Sequence, residues 1–173
     1  MNILSSFKNI RAFVFDVDGV LTDGSLLVLD DGQMARRMNI KDGYALQLAV
    51  KKGYHILVLS GGMSDAVRMR LDKLGVNNIQ MNVANKEEKL SEFATSKKLA
   101  KDQVLFMGDD MPDLNAMSHA GVSCCPADAV PEIKAMAHYI SPLKGGCGCV
   151  RDVIEKVLKL NDDWGDDGST VSK

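Results

Sequence analysis

The sequence predicts a three-layer, doubly wound α/β fold that is built on a parallel sheet, with a β-hairpin insertion and no cap domain. Short apolar runs at residues 13–15, 55–60 and 104–107 have the length and the β-branched or aromatic content of buried strands, and helical stretches separate them. Strands that alternate with helices indicate a parallel sheet with right-handed crossovers. Because 46% of the 173 residues are hydrophobic, we expect one core and a single domain over residues 1–160.

The first half of the chain predicts a hairpin and one helix between the first two strands. The hairpin is expected over about residues 25–38, because an Asp-Asp-Gly turn near Asp31 and Gly32 separates two extended runs. The helix is expected from Lys41 to Gly53, where the glycine ends it. These two elements fill the segment between the strands, which leaves no room there for a lid domain.

The second half of the chain repeats the alternation of strands and helices. A long helix is predicted to open at Lys86, and its buried side carries Leu90, Phe93 and Leu99. Pro112 suits the first position of the helix that follows the third main strand. The other predicted elements are helices at 64–74, 114–120, 130–137 and 149–160, and short strands at 78–81, 122–124 and 139–140.

Charge and hydropathy narrow the classes of partner. The formal net charge of -2 offers no basic surface for nucleic acid and no membrane-seeking face. No run of about 18 apolar residues is present, and residues 1–11 lack the apolar core of a signal peptide, so we expect a cytoplasmic protein with a small-molecule substrate. Residues 161–173 carry four Asp and one Lys, with Trp164 as the one large apolar side chain, and they are predicted to form a disordered acidic tail.

The four cysteines predict free thiols. Cys124 and Cys125 are adjacent, and Cys147 and Cys149 are separated by one residue. Neither arrangement has the CxxC spacing of a zinc knuckle or of a thioredoxin-like redox site. We therefore do not expect a metal centre made of cysteines.

Polar residues gather where the strands of the predicted sheet end. Asp16 and Asp18 follow the first strand, and side chains two residues apart on an extended chain point the same way, so both carboxylates can meet one ligand. Such a pair on its own often only terminates a strand. Ligands of parallel sheets, however, bind beyond the carboxyl ends of the strands. The residues predicted to lie at this edge are Asp16, Asp18, Ser60, Lys86, Asp109, Asp110 and Asp113.

This set of side chains has the chemistry needed for phosphoryl transfer. Several carboxylates this close repel one another unless a cation joins them, and oxygen ligands with waters suit Mg²⁺. Asp16 is placed to attack phosphorus once a metal and a lysine neutralise the incoming dianion. Asp18 could then act as general acid to the departing alkoxide and as general base to water.

The remaining polar residues would hold the metal and the phosphoryl group. Asp109 would bind the metal, and Asp113, one helical turn later, would either bind it through water or orient other groups. Ser60, through its side chain and its backbone N–H, would grip the transferring phosphoryl oxygens together with Lys86.

These residues resemble the four sequence motifs of the haloacid dehalogenase superfamily of phosphohydrolases. DVDGVLTDG at residues 16–24 resembles the first motif, and Ser60 resembles the second. Lys86 resembles the third motif, and GDDMPD at residues 108–113 resembles the fourth. The resemblance covers nearly the whole chain, and the order and spacing of the motifs make a chance match improbable.

Two further segments resemble a narrower family. NIKDGY at 39–44 and GGCGCVRDV at 145–153 look like segments of the capless 3-deoxy-D-manno-octulosonate 8-phosphate phosphatases and their nine-carbon sugar-acid relatives. This resemblance implies a Mg²⁺-dependent phosphomonoesterase that forms an aspartyl-phosphate and acts on a 2-keto-3-deoxy sugar acid phosphate, first of all the octulosonate 8-phosphate. The implied Mg²⁺ ligands are Asp16, Asp18, Asp109 and Asp113.

The resemblance also implies a site completed by a second subunit. In the family, a neighbouring subunit of a homotetramer built through the hairpins covers the open site, and a glycine-rich C-terminal segment reaches over it. Gly145, Gly146 and Gly148 match that segment, although on sequence grounds they could form only a flexible turn. Arg70 matches a basic substrate ligand, and its alternative role is a solvated helix face. The implied substrate-binding residues are Asp18, Asn39, Ile40, Lys41, Asp42, Gly43, Gly61, Arg70 and Lys86.

Two positions depart from the family pattern. The octulosonate phosphatases commonly carry an arginine after the TG or SG of the second motif, where this chain has Gly62, and another on the preceding helix, where it has Gln47. The loss of two guanidinium groups removes bidentate partners for a substrate carboxylate. A nine-carbon sugar acid 9-phosphate, from sialic acid or deaminated sialic acid synthesis, is therefore an alternative substrate.

Three other functions fit the sequence less well. A phosphomutase would share Asp16 and Asp18 but would need a lid to retain its intermediate. A receiver-like signalling domain would carry its adjacent acidic pair after the first strand, whereas this chain has Asp109 and Asp110 after a later one. An idle oligomerisation module would not need the complete set of motifs.

Overall fold

The computed structural model describes residues 3–165, 168 and 170, and contains six parallel strands in one sheet and a separate two-stranded hairpin. The strands are β1 (Ala12–Asp16), β2 (Leu27–Val28), β3 (Met34–Ala35), β4 (His55–Leu59), β5 (Asn78–Gln80), β6 (Val104–Met107), β7 (Val122–Cys125) and β8 (Tyr139–Ile140). The helices are α1 (Ile3–Asn9), α2 (Ile40–Lys51), α3 (Asp65–Lys73), α4 (Lys86–Ser96), α5 (Leu114–His119), α6 (Pro131–Met136) and α7 (Cys149–Leu160).

The order of the strands places a crevice at the end of β1. The sheet runs β5-β4-β1-β6-β7-β8, and every neighbouring pair is parallel. The chain leaves β1 towards β4 and β5 and then returns to β6 on the other side of β1. In open α/β sheets, ligands bind at the carboxyl ends of the strands where the order reverses in this way. The predicted doubly wound parallel sheet is confirmed.

Two core layers cover the two faces of the sheet. Side chains of β1 alternate between them: Phe13 and Phe15 pack into the layer that contains the buried sides of α1, α2, α3 and α7. Ala12 and Val14 pack into the layer that contains those of α4, α5 and α6. The predicted three-layer architecture is therefore confirmed.

The hairpin of β2 and β3 is the insertion predicted over residues 25–38. Leu27 pairs with Ala35 in an antiparallel register, and an isolated bridge between Thr22 and Met38 closes the base of the hairpin. The hairpin leaves apolar side chains on the surface. Leu27, for example, is 65% exposed. A short helical turn at Val17–Leu21, the hairpin and α2 are the elements between β1 and β4, so no cap domain is inserted there.

Three local features differ from the sequence prediction. The helix α1 was not predicted, and it is short, with Phe7 as its buried anchor. The helix α4 ends at Ser96, so Leu99 lies beyond it, where it packs against the core from a connecting segment rather than from the predicted helix. Pro112 lies in a 3₁₀ turn that precedes α5 instead of in the first turn of the helix itself.

The beginning of the predicted tail contacts the domain. The hydroxyl of Tyr54 donates a 2.9 Å hydrogen bond to Asp163, and the ring of Trp164 meets Tyr44 edge-on at 6.2 Å between centroids. The guanidinium of Arg151 lies 5.2 Å from the centre of the Trp164 ring. Disorder of the tail stays a prediction, since residues 166, 167, 169 and 171–173 lie outside the described part of the chain. No described helix has both the length and the apolar character needed to cross a bilayer.

Candidate active site

A pocket of about 310 Å³ opens at the carboxyl ends of β1, β4 and β6. All the strand-end residues predicted from the sequence except Ser60 line this pocket, because adjacent parallel strands end at the same edge of the sheet. Two backbone turns complete the walls, one after β1 and one after β5. The lining residues are Asp16, Asp18, Gly24, Gly61, Gly62, Val83, Ala84, Lys86, Asp109, Asp110, Pro112 and Asp113.

Lys86 links two carboxylates at the floor of the pocket. Its Nζ donates hydrogen bonds of 2.7 Å to Asp16 and 2.6 Å to Asp113. The lysine reaches them from the first turn of α4, where the side chain of Asn85 caps the helix by accepting from the Glu88 N–H. All three charged side chains are at most 10% exposed, so their mutual attraction is poorly screened by water.

The carboxylates of this cluster outnumber its cations. Burial raises the pKa of Asp16 to about 6, and the charge of Asp113 adds to that rise, although Lys86 opposes it. Burial raises the pKa of Asp109 to about 8, with Asp16 and Asp113 adding to it. Although burial disfavours the charged form of Lys86, the two carboxylates beside it outweigh that effect and raise the pKa of the lysine. The site therefore has a deficit of positive charge.

The donor set of the cluster fits a hard divalent cation. Carboxylate oxygens of Asp16, Asp109 and Asp113 lie within 4.8 Å of one another. The Oδ1 atom of Asp109 is buried and accepts no hydrogen bond within the described part of the chain. A buried carboxylate oxygen without a partner is costly, and a bound cation would satisfy it. A cation here would also correct the charge deficit.

Backbone contacts fix the orientation of Asp113 and Asp109. Asp113 is 1% exposed, and its Oδ2 accepts a 3.0 Å hydrogen bond from the Asp109 N–H while its Oδ1 faces Lys86. Gly19, with a φ of +89°, approaches so closely that a Cβ there would overlap the Asp109 carboxylate. These contacts orient Asp113, and its role as a metal ligand stays a prediction.

Asp18 pairs with an arginine that the sequence did not single out. Arg36 donates from Nε to Asp18 Oδ1 at 2.6 Å and from Nη2 to Asp18 Oδ2 at 3.3 Å. The carboxylate cluster above therefore does not include the side chain of Asp18, whose role as a metal ligand stays a prediction. The signal that could have identified Arg36 is its place at the end of the hairpin, which returns the chain to the turn after β1.

Ser60 occupies the predicted position, but its backbone is engaged elsewhere. The side chain is 2% exposed, and Oγ accepts a 3.1 Å hydrogen bond from the Gly62 N–H. The N–H of Ser60 donates to the Gln80 carbonyl at 2.9 Å as part of the sheet. The expectation that this N–H grips a phosphoryl oxygen is therefore wrong, because the group is already bonded. Of the two predicted phosphoryl donors, Lys86 lines the pocket, whereas Ser60 lies just behind the lining residues Gly61 and Gly62.

The other predicted substrate-binding residues lie outside the pocket lining. Asp18, Gly61 and Lys86 line the pocket. Arg70 lies beside Gly43, because a Cβ on that glycine would come within 2.8 Å of the guanidinium. The segment 39–43 forms the start of α2. Within it, the Asn39 side chain accepts from the Lys41 N–H, Ile40 is 63% exposed, and Asp42 is buried and accepts from the Arg151 N–H.

The glycine-rich segment packs on the first motif of its own chain. A Cβ on Gly145 would overlap the Gly19 carbonyl, and a Cβ on Gly146 would lie 2.5 Å from the Asp23 nitrogen. The Gly146 N–H also donates to the Val20 carbonyl at 3.0 Å. These glycines therefore make close backbone contacts with the loop that carries Asp18, and their contact with a neighbour's site stays a prediction.

The cysteines are free thiols in the described part of the chain. Cys124, Cys125 and Cys149 are buried, and Cys147 is exposed. Burial raises the pKa of Cys125 to about 11, so this thiol stays protonated at neutral pH.

Comparison with known proteins identifies the family. The sequence profile of the haloacid dehalogenase-like hydrolases matches residues 72–148. The 3-deoxy-D-manno-octulosonate 8-phosphate phosphatase of Escherichia coli K12 is 30% identical over 157 residues, which cover 91% of this chain and 84% of the relative. This chain belongs to the same family. It is a haloacid dehalogenase-like phosphoric monoester hydrolase, as the four motifs predicted.

Solved structures of the family share the whole architecture. The octulosonate phosphatase of Yersinia pestis superposes with a TM-score of 0.93 at 28% identity, covering 99% of this chain and 92% of that chain. The enzyme of Moraxella catarrhalis, whose structure contains magnesium, phosphate and 3-deoxy-D-manno-octulosonate, gives a TM-score of 0.90 at 29% identity over 94% of this chain and 93% of that chain. The capless fold is therefore the common frame of these octulosonate phosphatases.

Proposed function

We propose that this protein is a Mg²⁺-dependent phosphomonoesterase that forms an aspartyl-phosphate at Asp16 and acts on a 2-keto-3-deoxy sugar acid phosphate, with 3-deoxy-D-manno-octulosonate 8-phosphate as the expected substrate. One observation carries the proposal. The Asp16 carboxylate lines an open pocket, 2.7 Å from the Lys86 ammonium and beside an Asp109 oxygen that accepts no hydrogen bond from the described residues. The nucleophile, the Lys86 ammonium group and an incomplete set of metal ligands thus lie side by side.

The first half-reaction transfers the phosphoryl group to the protein. An oxygen of Asp16 forms a bond to phosphorus, and the ester P–O bond opposite to it breaks. The departing sugar oxygen keeps the electron pair of that bond and takes a proton from Asp18. Lys86 and the Ser60 hydroxyl donate hydrogen bonds to the non-bridging oxygens, where negative charge is concentrated.

The second half-reaction releases the phosphate. Asp18, now a carboxylate, accepts a proton from a water molecule, whose oxygen attacks phosphorus. The bond between phosphorus and Asp16 breaks, and the electron pair returns to the Asp16 carboxylate. Both aspartates are thereby restored to their starting states, which makes the cycle catalytic.

The predicted Mg²⁺ fits the acidic cluster. Asp16, Asp109 and Asp113 would hold it, since these residues supply the oxygen ligands that Mg²⁺ prefers. When bound, Mg²⁺ neutralises the charge of the phosphate and of the carboxylates that face it. The ammonium group of Lys86, which α4 holds beside Asp16, contributes a second positive charge to this neutralisation.

The substrate assignment rests on the family and leaves one alternative. The curated relatives are named for the octulosonate 8-phosphate, and the Moraxella catarrhalis structure contains the dephosphorylated sugar acid. Gly62 lines the pocket of this chain without a side chain, so this position supplies no guanidinium to bind a substrate carboxylate. That observation favours a nine-carbon sugar acid 9-phosphate as the second candidate.

The quaternary structure and the location in the cell form part of the same proposal. Leu27, Val28 and Met34 on the hairpin are each more than half exposed, which suits an interface in a homotetramer. The segment 39–43 and Arg70 would then contribute to substrate binding across subunits, which is consistent with their place outside the pocket lining of their own chain. We place this enzyme in the cytoplasm, as predicted from the sequence.

A direct comparison of substrates tests the proposal. The values of kcat/KM for the octulosonate 8-phosphate and for the two nine-carbon 9-phosphates should be measured with Mg²⁺ present. We expect the eight-carbon ester to be turned over with the highest value. A higher value for a nine-carbon ester would select the alternative. Turnover of none of the three, by protein that is folded and loaded with Mg²⁺, would contradict the proposed substrate class.

A further inference from the structure

The ion pair between Arg36 and Asp18 is the feature of the pocket wall that the proposed mechanism does not use. We propose that Arg36 is a positioning residue: it orients Asp18 towards the leaving-group oxygen and stabilises the carboxylate that forms when Asp18 gives up its proton. The proposal rests on the proposed function, in which Asp18 moves that proton. It makes the hairpin a source of catalytic geometry as well as a candidate interface.

The geometry of the pair restricts rotation of the carboxyl group. Arg36 binds both oxygens of Asp18, at 2.6 Å and 3.3 Å, through two different nitrogens. A planar guanidinium bound to both oxygens fixes the plane of a carboxylate, which a single hydrogen bond does not. The Arg36 side chain is 7% exposed, whereas that of Asp18 is 37% exposed. The arginine is thus packed behind a carboxyl group that remains open to the pocket.

The base of the hairpin directs Arg36 inward. Consecutive side chains of an extended chain point to opposite sides, and Arg37 accordingly points outward, 81% exposed, to pair with Asp23. The bridge between Thr22 and Met38 fixes this register two residues away. The Thr22 hydroxyl oxygen also accepts from the Gly19 N–H, next to Asp18 in the chain. The hairpin base and the Asp18 turn therefore form one hydrogen-bonded unit.

Gly62 leaves the space that Arg36 occupies. A Cβ at position 62 would lie 3.2 Å from Nη2 of Arg36 and 3.4 Å from Oδ2 of Asp18, closer to the nitrogen than side chains normally pack. The chain has no arginine at position 62, and the guanidinium of Arg36 reaches the same wall from the hairpin instead. The glycine and the arginine thus form a matched pair.

The chemistry of the leaving group separates this role from a purely structural one. When the P–O bond of an alkyl phosphate breaks, the sugar oxygen needs the proton of Asp18, because a free alkoxide is a poor leaving group. A p-nitrophenolate ion is stable without that proton. Misorientation of Asp18 should therefore slow cleavage of alkyl esters much more than cleavage of p-nitrophenyl phosphate.

The test compares Arg36→Ala and Arg36→Lys with the wild type on both kinds of ester. The value of kcat/KM is the informative one, since it reports the steps up to formation of the phosphoryl-protein and excludes its hydrolysis. For Arg36→Ala we expect a loss of about 100-fold on the octulosonate ester, mostly in kcat, and a loss roughly tenfold smaller on p-nitrophenyl phosphate. Arg36→Lys should show the same difference between the two esters with smaller losses, because lysine keeps the positive charge but lacks the two nitrogens that bind both carboxylate oxygens.

The matched control is Arg37→Ala. It removes the neighbouring arginine of the same segment, whose partner is Asp23, and it should change neither ester by more than about threefold, as for an exposed ion pair. Thermal unfolding establishes that each variant is folded. If Arg36→Ala does not fold, Arg36→Lys carries the test alone.

Equal losses on the two esters, or no loss on the octulosonate ester, would overturn the role of Arg36. A wild-type protein that hydrolyses p-nitrophenyl phosphate but not the octulosonate ester would instead count against the proposed function. The leaving-group comparison would then be made with any primary alkyl phosphate that the protein hydrolyses, and the same split would be expected.

Discussion

Two cation–aspartate contacts flank the proposed nucleophile, and they are built in different ways. Lys86 lies between Asp16 and Asp113, all nearly buried, and its partners follow β1 and β6 of the sheet. Arg36 faces Asp18, which is 37% exposed, and it comes from the end of a two-stranded hairpin. The first contact depends on the central strands, whereas the second depends on an insertion with its own small sheet.

This difference separates the general chemistry from its adjustment. A carboxylate, a lysine and a cation at the sheet edge suffice to attack a phosphate ester, whatever the ester carries. In the proposed mechanism, the orientation of Asp18, together with the residues that a neighbouring subunit would add, determines which leaving group departs readily. On this proposal, the residues at the sheet edge carry out the reaction, and the hairpin adjusts its rate for one class of substrate.

The largest effect expected is on the sheet side, from removal of the metal. Chelation of divalent cations should reduce turnover of every phosphate ester to background, because it leaves the carboxylates of Asp16, Asp109 and Asp113 uncompensated. Addition of Mg²⁺ should restore the rate, and Asp109→Asn should raise the Mg²⁺ concentration needed for half-maximal activity. An unchanged rate after complete chelation would show that the cluster serves another purpose.

Replacement of each cation compares the two contacts directly. Lys86→Ala leaves two buried carboxylates facing each other, so in metal-free protein it should lower the free energy of unfolding by about 3–5 kcal/mol. It should also reduce kcat by about 100-fold or more through loss of a phosphoryl donor. Arg36→Ala leaves a carboxylate that water can reach, and it should cost less than about 1 kcal/mol.

Urea unfolding at one pH, with chelator present, measures both free energies. The comparison would break down if the two variants lost the same stability. It would be sharpened if Mg²⁺ restored stability to Lys86→Ala and not to Arg36→Ala, since only the first cation lies within the predicted metal cluster.

A smaller effect is expected from the outer face of the hairpin. Leu27→Glu places a charge on a side chain that is 65% exposed and belongs to the predicted tetramer interface. We expect dissociation to smaller species in sedimentation experiments, with a moderate loss of activity on the sugar acid ester. Ile140→Glu, on the edge strand β8, is the control and should leave the assembly intact. A wild-type protein that sediments as a monomer would contradict the shared site.

The smallest effect on turnover is expected from Asp42, which is distant from the chemistry but joins α2 to α7. Burial raises the pKa of this carboxyl group to about 6 from its ordinary value of 3.8, despite hydrogen bonds from the Arg151 and Gly148 N–H groups. The folded protein therefore binds more protons than the unfolded chain between these two pH values, and stability falls as the pH rises through them. The cost at neutral pH is about 3 kcal/mol.

Asp42→Asn should remove that part of the pH dependence. The difference in unfolding free energy between variant and wild type, measured from pH 4 to pH 7, should grow in favour of the variant as the pH rises. Asp30→Asn, at an exposed position of the hairpin, should track the wild type over the same range. Parallel curves for Asp42→Asn and wild type would contradict the assignment.

The sheet and its polar edge were predictable because each is encoded locally. The runs at 13–15, 55–60 and 104–107 are apolar for the length of one strand and stop at Asp16, Ser60 and Gly108, so periodicity alone places the site. Once the sheet is parallel, these ends must meet, and no pairwise contact needs to be known in advance.

The contacts that could not be predicted depend on distance in space. Arg36 and Asp18 are 18 residues apart, and the register of the hairpin decides which of two adjacent arginines points inward. Ser60 was expected to offer its N–H, but the parallel pairing of β4 with β5 engages that group with Gln80. The sequence did not predict helix α1, because only Phe7 among its seven residues is buried and the segment therefore shows almost no apolar periodicity.

The most direct test of the central claim is to trap the phosphoryl group on the protein. The enzyme should be mixed with substrate and Mg²⁺, quenched in acid within one turnover, and digested for mass spectrometry. The account predicts a phosphoryl adduct on the peptide that contains Asp16, absent from an Asp16→Asn variant that is folded but inactive. A phosphorylated residue other than Asp16, or full turnover by Asp16→Asn, would contradict it.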